Sequence, residues 1–482
     1  MATRGSTLKR SPETCAGNGA FGVDLPLSFK PSPRLALTLV TMKSILLVFA
    51  LGFSAAFMPL FAATKKNIPE TLLADPRVHL TFGEEQKILE GGLQPSLVIT
   101  KTGALISQGQ LPGNSLPSKR MSSKWEMGTV ISRDRGATWT RLPLKSGENG
   151  LNMEGGAIQL RDGSLLALDT YVTPGSTRDK GAGQLYGSKD DWKTLEGPIV
   201  ITFNLPGVNF AGSSDDGGHP HEAVRLHRRI IELPNGDLLT TLYGWFEGDT
   251  EPSAYMATMK KTRVLLLRST NRGRHWDLVS TVAVDAKVGT EGFDEAVLIR
   301  ISQGPNAGRL LCKMRTGREQ REAFSDDEGK TWSKSTVRIY ADRDVYDTAK
   351  WVEMFRGVKD KKGALIENNP NEMIGAVVDP DLIELSSGVL VTTFGVRIPP
   401  RACWPRAEHP WNGNYVAVSL DHGATWSHVV QLTSGVLTTH YTAVEATLNA
   451  NEVYIAYDLG DWRSGLGRSL HGRFMQIKVD AN

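Results

Sequence analysis

Cysteine is scarce: Cys15, Cys312 and Cys403 are the three in 482 residues. None stands in a C-x-x-C spacing, so the chain carries no thiolate zinc signature, and neither a metal nor a cofactor is expected. Two readings remain for Cys312 and Cys403, a single disulfide or two buried small apolar side chains. An excess of one charge is also missing. Lys and Arg number 55 and Asp and Glu 52, a net +3 that gives no basic footprint for nucleic acid. No glycine-rich nucleotide motif occurs. Long amphipathic helical periods are absent, which removes helical bundles and alternating β/α folds from consideration. Apart from one segment near the front, no apolar run is long enough to cross a membrane.

That one segment is Ser44 to Ala63 (SILLVFALGFSAAFMPLFAA), directly behind Met42-Lys43. A basic start, an apolar core and small residues at its end read as a secretory signal over 42–63, with an uncleaved anchor as the alternative. The 41 residues before Met42 have no amphipathic period and are expected to be a disordered or non-native extension. The mature protein is then expected over 64–482, secreted or periplasmic, with no membrane contact once the signal is removed.

What is abundant is repetition. Ser132-Arg-Asp134-Arg-Gly136-Ala-Thr138-Trp139 recurs as Ser325 to Trp332 and as Ser419 to Trp426. Ser269 to Trp276 is a close variant and Ser188 to Leu195 a degenerate one. The octet is a folded turn: the Asp or Asn caps backbone N–H groups, the Gly takes a left-handed conformation, and the Trp packs the turn inward. A calcium loop needs more carboxylates than these octets supply.

A second repeat is a strand–turn–strand unit. It begins at Pro95, Gly156, Arg229, Ala296, Leu382 and Ala443, with turn residues Gly103, Gly163, Gly236, Gly308, Gly388 and Asn451 spaced 60 to 80 residues apart. Each unit continues into a further strand, and the first five into an octet. Six units of about four strands specify an all-β, six-bladed β-propeller with four-stranded antiparallel blades. Pairing Arg77–Phe82 with Arg473–Val479 is expected to close the ring.

The repeat also predicts what surrounds the central channel. Counting back from each turn brings Gln94, Glu154, His227, Glu295, Asp379 and Thr442, beside Tyr441, to equivalent positions at the channel mouth. Polar strand ends meeting water are the plain explanation. Three carboxylates and a histidine converging is the arrangement acid/base chemistry uses. Arg315 stands out on the neighbouring strand, where the other blades carry Gln110, Thr170, Tyr243 and Gly395. Arg397, Arg401 and Arg406 crowd the exit of the fifth hairpin, and guanidinium pairs grip carboxylates bidentately.

From about Glu90 onward the chain resembles the sialidase (neuraminidase) superfamily of Asp-box, or BNR-repeat, propellers. The octets carry the resemblance in fold. Phe293-Asp-Glu295 with Arg309-Leu-Leu-Cys-Lys-Met-Arg315, and Tyr441-Thr-Ala-Val-Glu with Tyr457-Asp458, carry it in the site. The resemblance implies Tyr441 as nucleophile, Glu295 as its activating base, and Arg315 with Arg397 as clamp for a sugar carboxylate. It implies an exo-acting glycosidase releasing sialic or related acidic sugars, with a glycan as partner. Leu93 stands where the family has its first arginine, and Glu126 is the sole acid between Leu93 and Val130, where the family has its acid Asp. Arg228, Arg229, Glu247 and Asp249, near His219, His221 and Glu222, are candidate substitutes. The alternatives are a glycosidase or lyase of another glycan using Glu154, His227 or Asp379, and a carbohydrate-binding propeller without catalysis.

Overall fold

The computed structural model describes residues 67–480, apart from 117–123, 144–150, 211–221, 255–258, 343–355, 358, 360–362, 369–374, 399–406, 408 and 462–466. The segment expected as a signal, the extension before it, Cys15, Cys403, Arg401, Arg406, His219 and His221 lie outside the described residues. Cys312 is buried.

Among the described residues strands dominate, with a short 3-10 turn at Ile366–Asn368. They form six blades, each built on four antiparallel strands, and blades two and three are joined into one ten-stranded sheet by parallel pairing of Glu196–Asn204 with His275–Ala283. Blade one runs Leu93–Ile99, Leu105–Leu116, Lys124–Ser132 and Thr140–Arg141, and blade two Ala157–Gln159, Leu165–Leu168, Lys180–Ser188 and Glu196–Asn204. Blade three runs Val224–Glu232, Leu238–Phe246, Arg263–Ser269 and His275–Ala283, and blade four Asp294–Arg300, Leu310–Arg315, Gln320–Ser325 and Thr336–Arg338. Blade five runs Ala376–Glu384, Leu390–Arg397, Gly413–Ser419 and His428–Gln431. Blade six takes Thr442–Ala446, Glu452–Leu459 and Ser469–Val479 from the end of the chain and its outer strand, Val78–Phe82, from the front. That pairing closes the ring and hides an edge that would otherwise expose unpaired backbone groups. Glu70–Leu73 adds a fifth strand to blade five, so the front of the chain clasps two blades.

The six innermost strands touch one another in a closed cycle around the axis. Strand alternation gives each blade two apolar faces, and each face packs against the next blade. Each of six large apolar clusters accordingly lies between neighbours. Val98, Ile106, Leu165 and Tyr186 join blades one and two, and Leu97, Val130, Tyr454 and Leu470 join blades one and six.

The octets sit between the third and fourth strands of the first five blades. In the fourth blade the Ser325 hydroxyl donates to Asp327 at 2.8 Å and accepts from the Gly329 N–H, while Asp327 accepts from the Thr331 N–H at 2.9 Å. The same bonds recur around Asp134, Asp190, Asn271 and Asp421. The degenerate octet departs at two places, with Leu195 where the others have tryptophan and Trp192 where they have glycine. Trp192 takes the left-handed place of glycine (φ 59°), and its fully buried indole fills the core between blades one and two.

Candidate functional site

Each inner strand enters its turn through a backbone hydrogen bond made by Thr100, Leu160, Leu233, Ile301, Leu385 and Thr447. Six residues before each stand Gln94, Glu154, His227, Glu295, Asp379 and Tyr441. The sixth member is thus Tyr441 rather than Thr442. Blade six has a turn one residue longer than blade five, from Thr447 to Glu452 against Leu385 to Val389, and counting from Asn451 overshoots by one.

A kink recurs at this level. Gln94, Arg228, Glu295 and Asp379 have φ of 55°, 64°, 32° and 50°, each in a bulge of its inner strand. Bulges re-aim side chains at strand ends, and left-handed non-glycine residues cluster where function requires strain. In blade three the kink falls one residue later than the count from the turn implies. Arg228 therefore takes the left-handed place, and His227 lies just before it.

The ring residues interlock across blades. The Tyr441 hydroxyl donates to Glu295 Oε1, and Arg315 Nη1 donates to Glu295 Oε2 at 2.7 Å and to the Tyr441 oxygen at 3.3 Å. The Arg397 guanidinium lies 5.7 Å over the Tyr441 ring and donates to the Thr439 carbonyl at 2.6 Å. On the other side Arg228 grips both Asp379 oxygens. Asp379 also accepts from the Thr442 N–H at 2.8 Å. His227 Nε2 is 3.6 Å from Asp379, and its other nitrogen is 3.3 Å from the Ala296 carbonyl. Glu154 accepts from Gln110 at 2.7 Å, and the Gln94 N–H donates to Asp458 at 2.8 Å.

Electrostatics sorts these groups. Burial alone would raise the Glu295 carboxyl, but the Arg315 guanidinium, with the hydrogen bond from the Tyr441 hydroxyl, brings it down to about 2, so it is an anion. Burial and the Glu295 charge hold the Tyr441 hydroxyl well above its ordinary value, so it stays protonated at rest. Burial and Arg228 take His227 down to about 3, leaving it neutral. Burial pushes Asp379 up to about 7 against the pull of Arg228. The pairing of an ionised carboxylate with a phenol is the state in which a carboxylate can take the phenol's proton.

His227, Glu295 and Asp379 bring three donor atoms within 4.8 Å of one another, a spacing that suits a metal. Both carboxylates already accept from guanidinium groups, and two fixed positive charges beside them oppose a cation.

Tyr441 is held by its neighbours. The fully buried Asp458 accepts from the Thr438 hydroxyl and the Thr439 N–H, each at 2.7 Å, and from Gln94 across the blade boundary. His440 then turns left-handed (φ 66°), and a Cβ on Gly395 would stand 2.1 Å from its carbonyl oxygen. Gly395 thus lets the backbone of blade six pass close to blade five. Leu93, where the resemblance implies an arginine, is a core residue with 1% exposure. Of the substitutes, Arg228 reaches the ring. Arg229 spans the axis instead, to Asp381 (2.7 and 3.0 Å) and Glu445 (2.7 Å) beside a small cavity lined by Ser96, Ala157 and Ala443. Glu247 and Asp249 pair with Arg178 and Arg263 rather than with ring residues.

Sequence reasoning missed Glu291. It lies in the turn before blade four and sits on Arg315 Nη2 at 3.2 Å. The signal was available: Thr290-Glu-Gly-Phe-Asp-Glu295 packs three carboxylates into six residues.

No family model matches the chain, and no curated protein does. Among solved structures, a protein of unknown function from Dyadobacter fermentans DSM 18053 matches 84% of this chain and 100% of its own, at 17% identity and a TM-score of 0.55. The Hadza microbial sialidase Hz136 is similar over 81% of this chain and 66% of its own, at 17% identity and a TM-score of 0.49. The α-L-arabinofuranosidase Arb93A of Fusarium graminearum is similar over 82% of this chain and 97% of its own, at 10% identity and a TM-score of 0.49. The likeness to the Dyadobacter protein is one of fold.

Proposed function

We propose that this chain is an exo-acting glycoside hydrolase that works through a covalent tyrosyl intermediate. The observation that carries the reading is the Tyr441 hydroxyl bonded to the ionised Glu295, with Arg315 bridging both. As the Tyr441 oxygen bonds to the anomeric carbon, its proton passes to Glu295. The glycosidic oxygen departs with the electron pair of the broken bond and takes up a proton. Water then attacks the same carbon, gives a proton to solvent, and Tyr441 recovers its own from Glu295. Two displacements retain the anomeric configuration. A neutral phenol at rest avoids the repulsion a phenolate would meet beside Glu295, so charge develops only as the bond forms.

Asp379 is fully buried with both oxygens on Arg228, and His227 is neutral, so neither suits protonation of the leaving group. The half-buried Glu154 at the mouth of blade two is the carboxyl we assign to that step. The apolar run at 44–63 supports export, and the site then meets glycans outside the cytoplasm.

A second reading gives the sugar a carboxylate, gripped by Arg315 and Arg397 beside Tyr441. The test of the main reading is a panel of fluorogenic glycosides followed by proton NMR of the first-formed sugar. Retained configuration, and at least a ~1,000-fold loss in Tyr441→Phe, are expected. An inverted product would remove the tyrosyl intermediate.

A further inference from the structure

Each nitrogen of Arg315 faces a carboxyl group of this chain. Its Nη1 faces Glu295 at 2.7 Å, its Nη2 faces Glu291 at 3.2 Å, and its Nε faces Asp294 at 3.7 Å. All four side chains are largely buried, between 7% and 14% exposed. We infer that Glu291 occupies the anion seat on Arg315, so that the sugar accepted beside Tyr441 is neutral and a carboxylated sugar is rejected. The inference rests on reading the Tyr441 pit as a glycosidase site, and names its substrate class.

Glu291 is built into this place. Its N–H donates to the Thr316 carbonyl at 3.2 Å, and its carbonyl accepts from the Thr262 N–H at 2.8 Å and hydroxyl at 3.1 Å. Behind it Gly317 is left-handed (φ 72°), and a Cβ there would stand 2.8 Å from the Glu291 carboxyl carbon and 2.3 Å from the Thr290 hydroxyl. The backbone is thus pinned on both sides and the carboxyl backed by a glycine that leaves room for nothing larger. Burial, and then the neighbouring Glu291 charge, hold the carboxyl of a second acid, Asp294, well above its ordinary value. Glu291 and Glu295 together already exceed the charge of Arg315. A sugar carboxylate entering here would displace a pre-placed anion and remain beside it, the arrangement by which a site rejects a like-charged ligand. A neutral pentose or hexose meets no such opposition, and its hydroxyls can donate to these carboxylates.

The experiment compares the wild type, Glu291→Gln, Glu291→Asp and Gly317→Ala. Substrates are the 4-methylumbelliferyl glycosides of N-acetylneuraminic acid, α-L-arabinofuranose and β-D-galactose, and the free sugars are titrated by saturation-transfer NMR. The expected wild type favours a neutral glycoside over the sialoside by about a hundredfold or more in kcat/KM. Glu291→Gln and Gly317→Ala raise the sialoside value about tenfold, while Glu291→Asp, which keeps the charge, does not. Wild-type preference for the sialoside would overturn the inference, as would a ratio unmoved by Glu291→Gln in a protein with unchanged thermal unfolding. If no glycoside is cleaved by any form, the hydrolase reading fails separately. The titration then decides: binding of N-acetylneuraminic acid gained in Glu291→Gln supports the occupied seat, and no gain refutes it.

Discussion

Arg229 offers the sharpest test of how the propeller holds its axis. It leaves the inner strand of blade three and reaches Asp381 of blade five, Glu445 of blade six and the Val444 carbonyl. Asp381, with 5% side-chain exposure, has its remaining bonds with the N–H groups of Leu382 and Val444. Arg229→Met keeps most of the stem's volume and removes the charge, stranding a buried carboxylate. Removing one partner of a buried pair costs about 3–5 kcal/mol. Unfolding entropy of about 2.1 cal/mol/K per residue makes that a fall of about 4–6 °C in Tm for the ~400 residues of the propeller. Differential scanning calorimetry at pH 7 would measure it. Asp381→Asn should cost a similar amount, and the double variant about 2 kcal/mol or more less than the sum, because the second change relieves the charge stranded by the first. Additive losses, or a loss below about 1 kcal/mol for Arg229→Met, would refute the cross-axis pairing.

Glu295→Gln should lower kcat/KM by about 100- to 10,000-fold. Because the Glu295 carboxyl lies near 2, the wild-type rate should show no acid limb from this group between pH 4 and 7, and a limb near pH 6 that vanished in Glu295→Gln would contradict its assignment as an ionised base. Asp421 is held below its ordinary value, against burial, by Thr425 and Ser419, so its ionised form stabilises the fold above the unfolded carboxylate pKa and that gain is lost as pH falls through the folded value. The Tm deficit of Asp421→Asn should therefore be present at pH 7 and shrink toward pH 3, as followed by circular dichroism. A chain starting at Gly83 lacks the outer strand of blade six, and should lose cooperative thermal unfolding and associate through the exposed edge, as read by light scattering.

The fold was legible because each blade repeats its own instructions. Five octets and six turns mark the blade boundaries through side-chain chemistry visible in any one copy. Ring membership was legible to within one residue. The misses came where local backbone geometry differs between copies. A longer turn in blade six put the count on Thr442 rather than on its neighbour Tyr441, and in blade three the count reached His227 while the left-handed residue is Arg228. Pairings across blades were not legible at all. Arg228 meets Asp379 across 151 residues, and nothing in either strand names the other. Glu291 escaped because it precedes the strand on which the repeat is built. Asp458 was read as part of the nucleophile's segment, yet its buried carboxyl positions the turn before Tyr441 and ties it to blade one.

The central claim is that Tyr441 becomes covalently glycosylated with Glu295 as its base. The direct measurement is peptide mass spectrometry after rapid acid quench of the enzyme with a fluorinated glycoside that slows the second displacement. The account predicts one glycosyl adduct on the peptide carrying Tyr441, lost in Tyr441→Phe and strongly reduced in Glu295→Gln. Steady turnover of the glycoside with an adduct on another residue, or undiminished turnover by Tyr441→Phe, would contradict it.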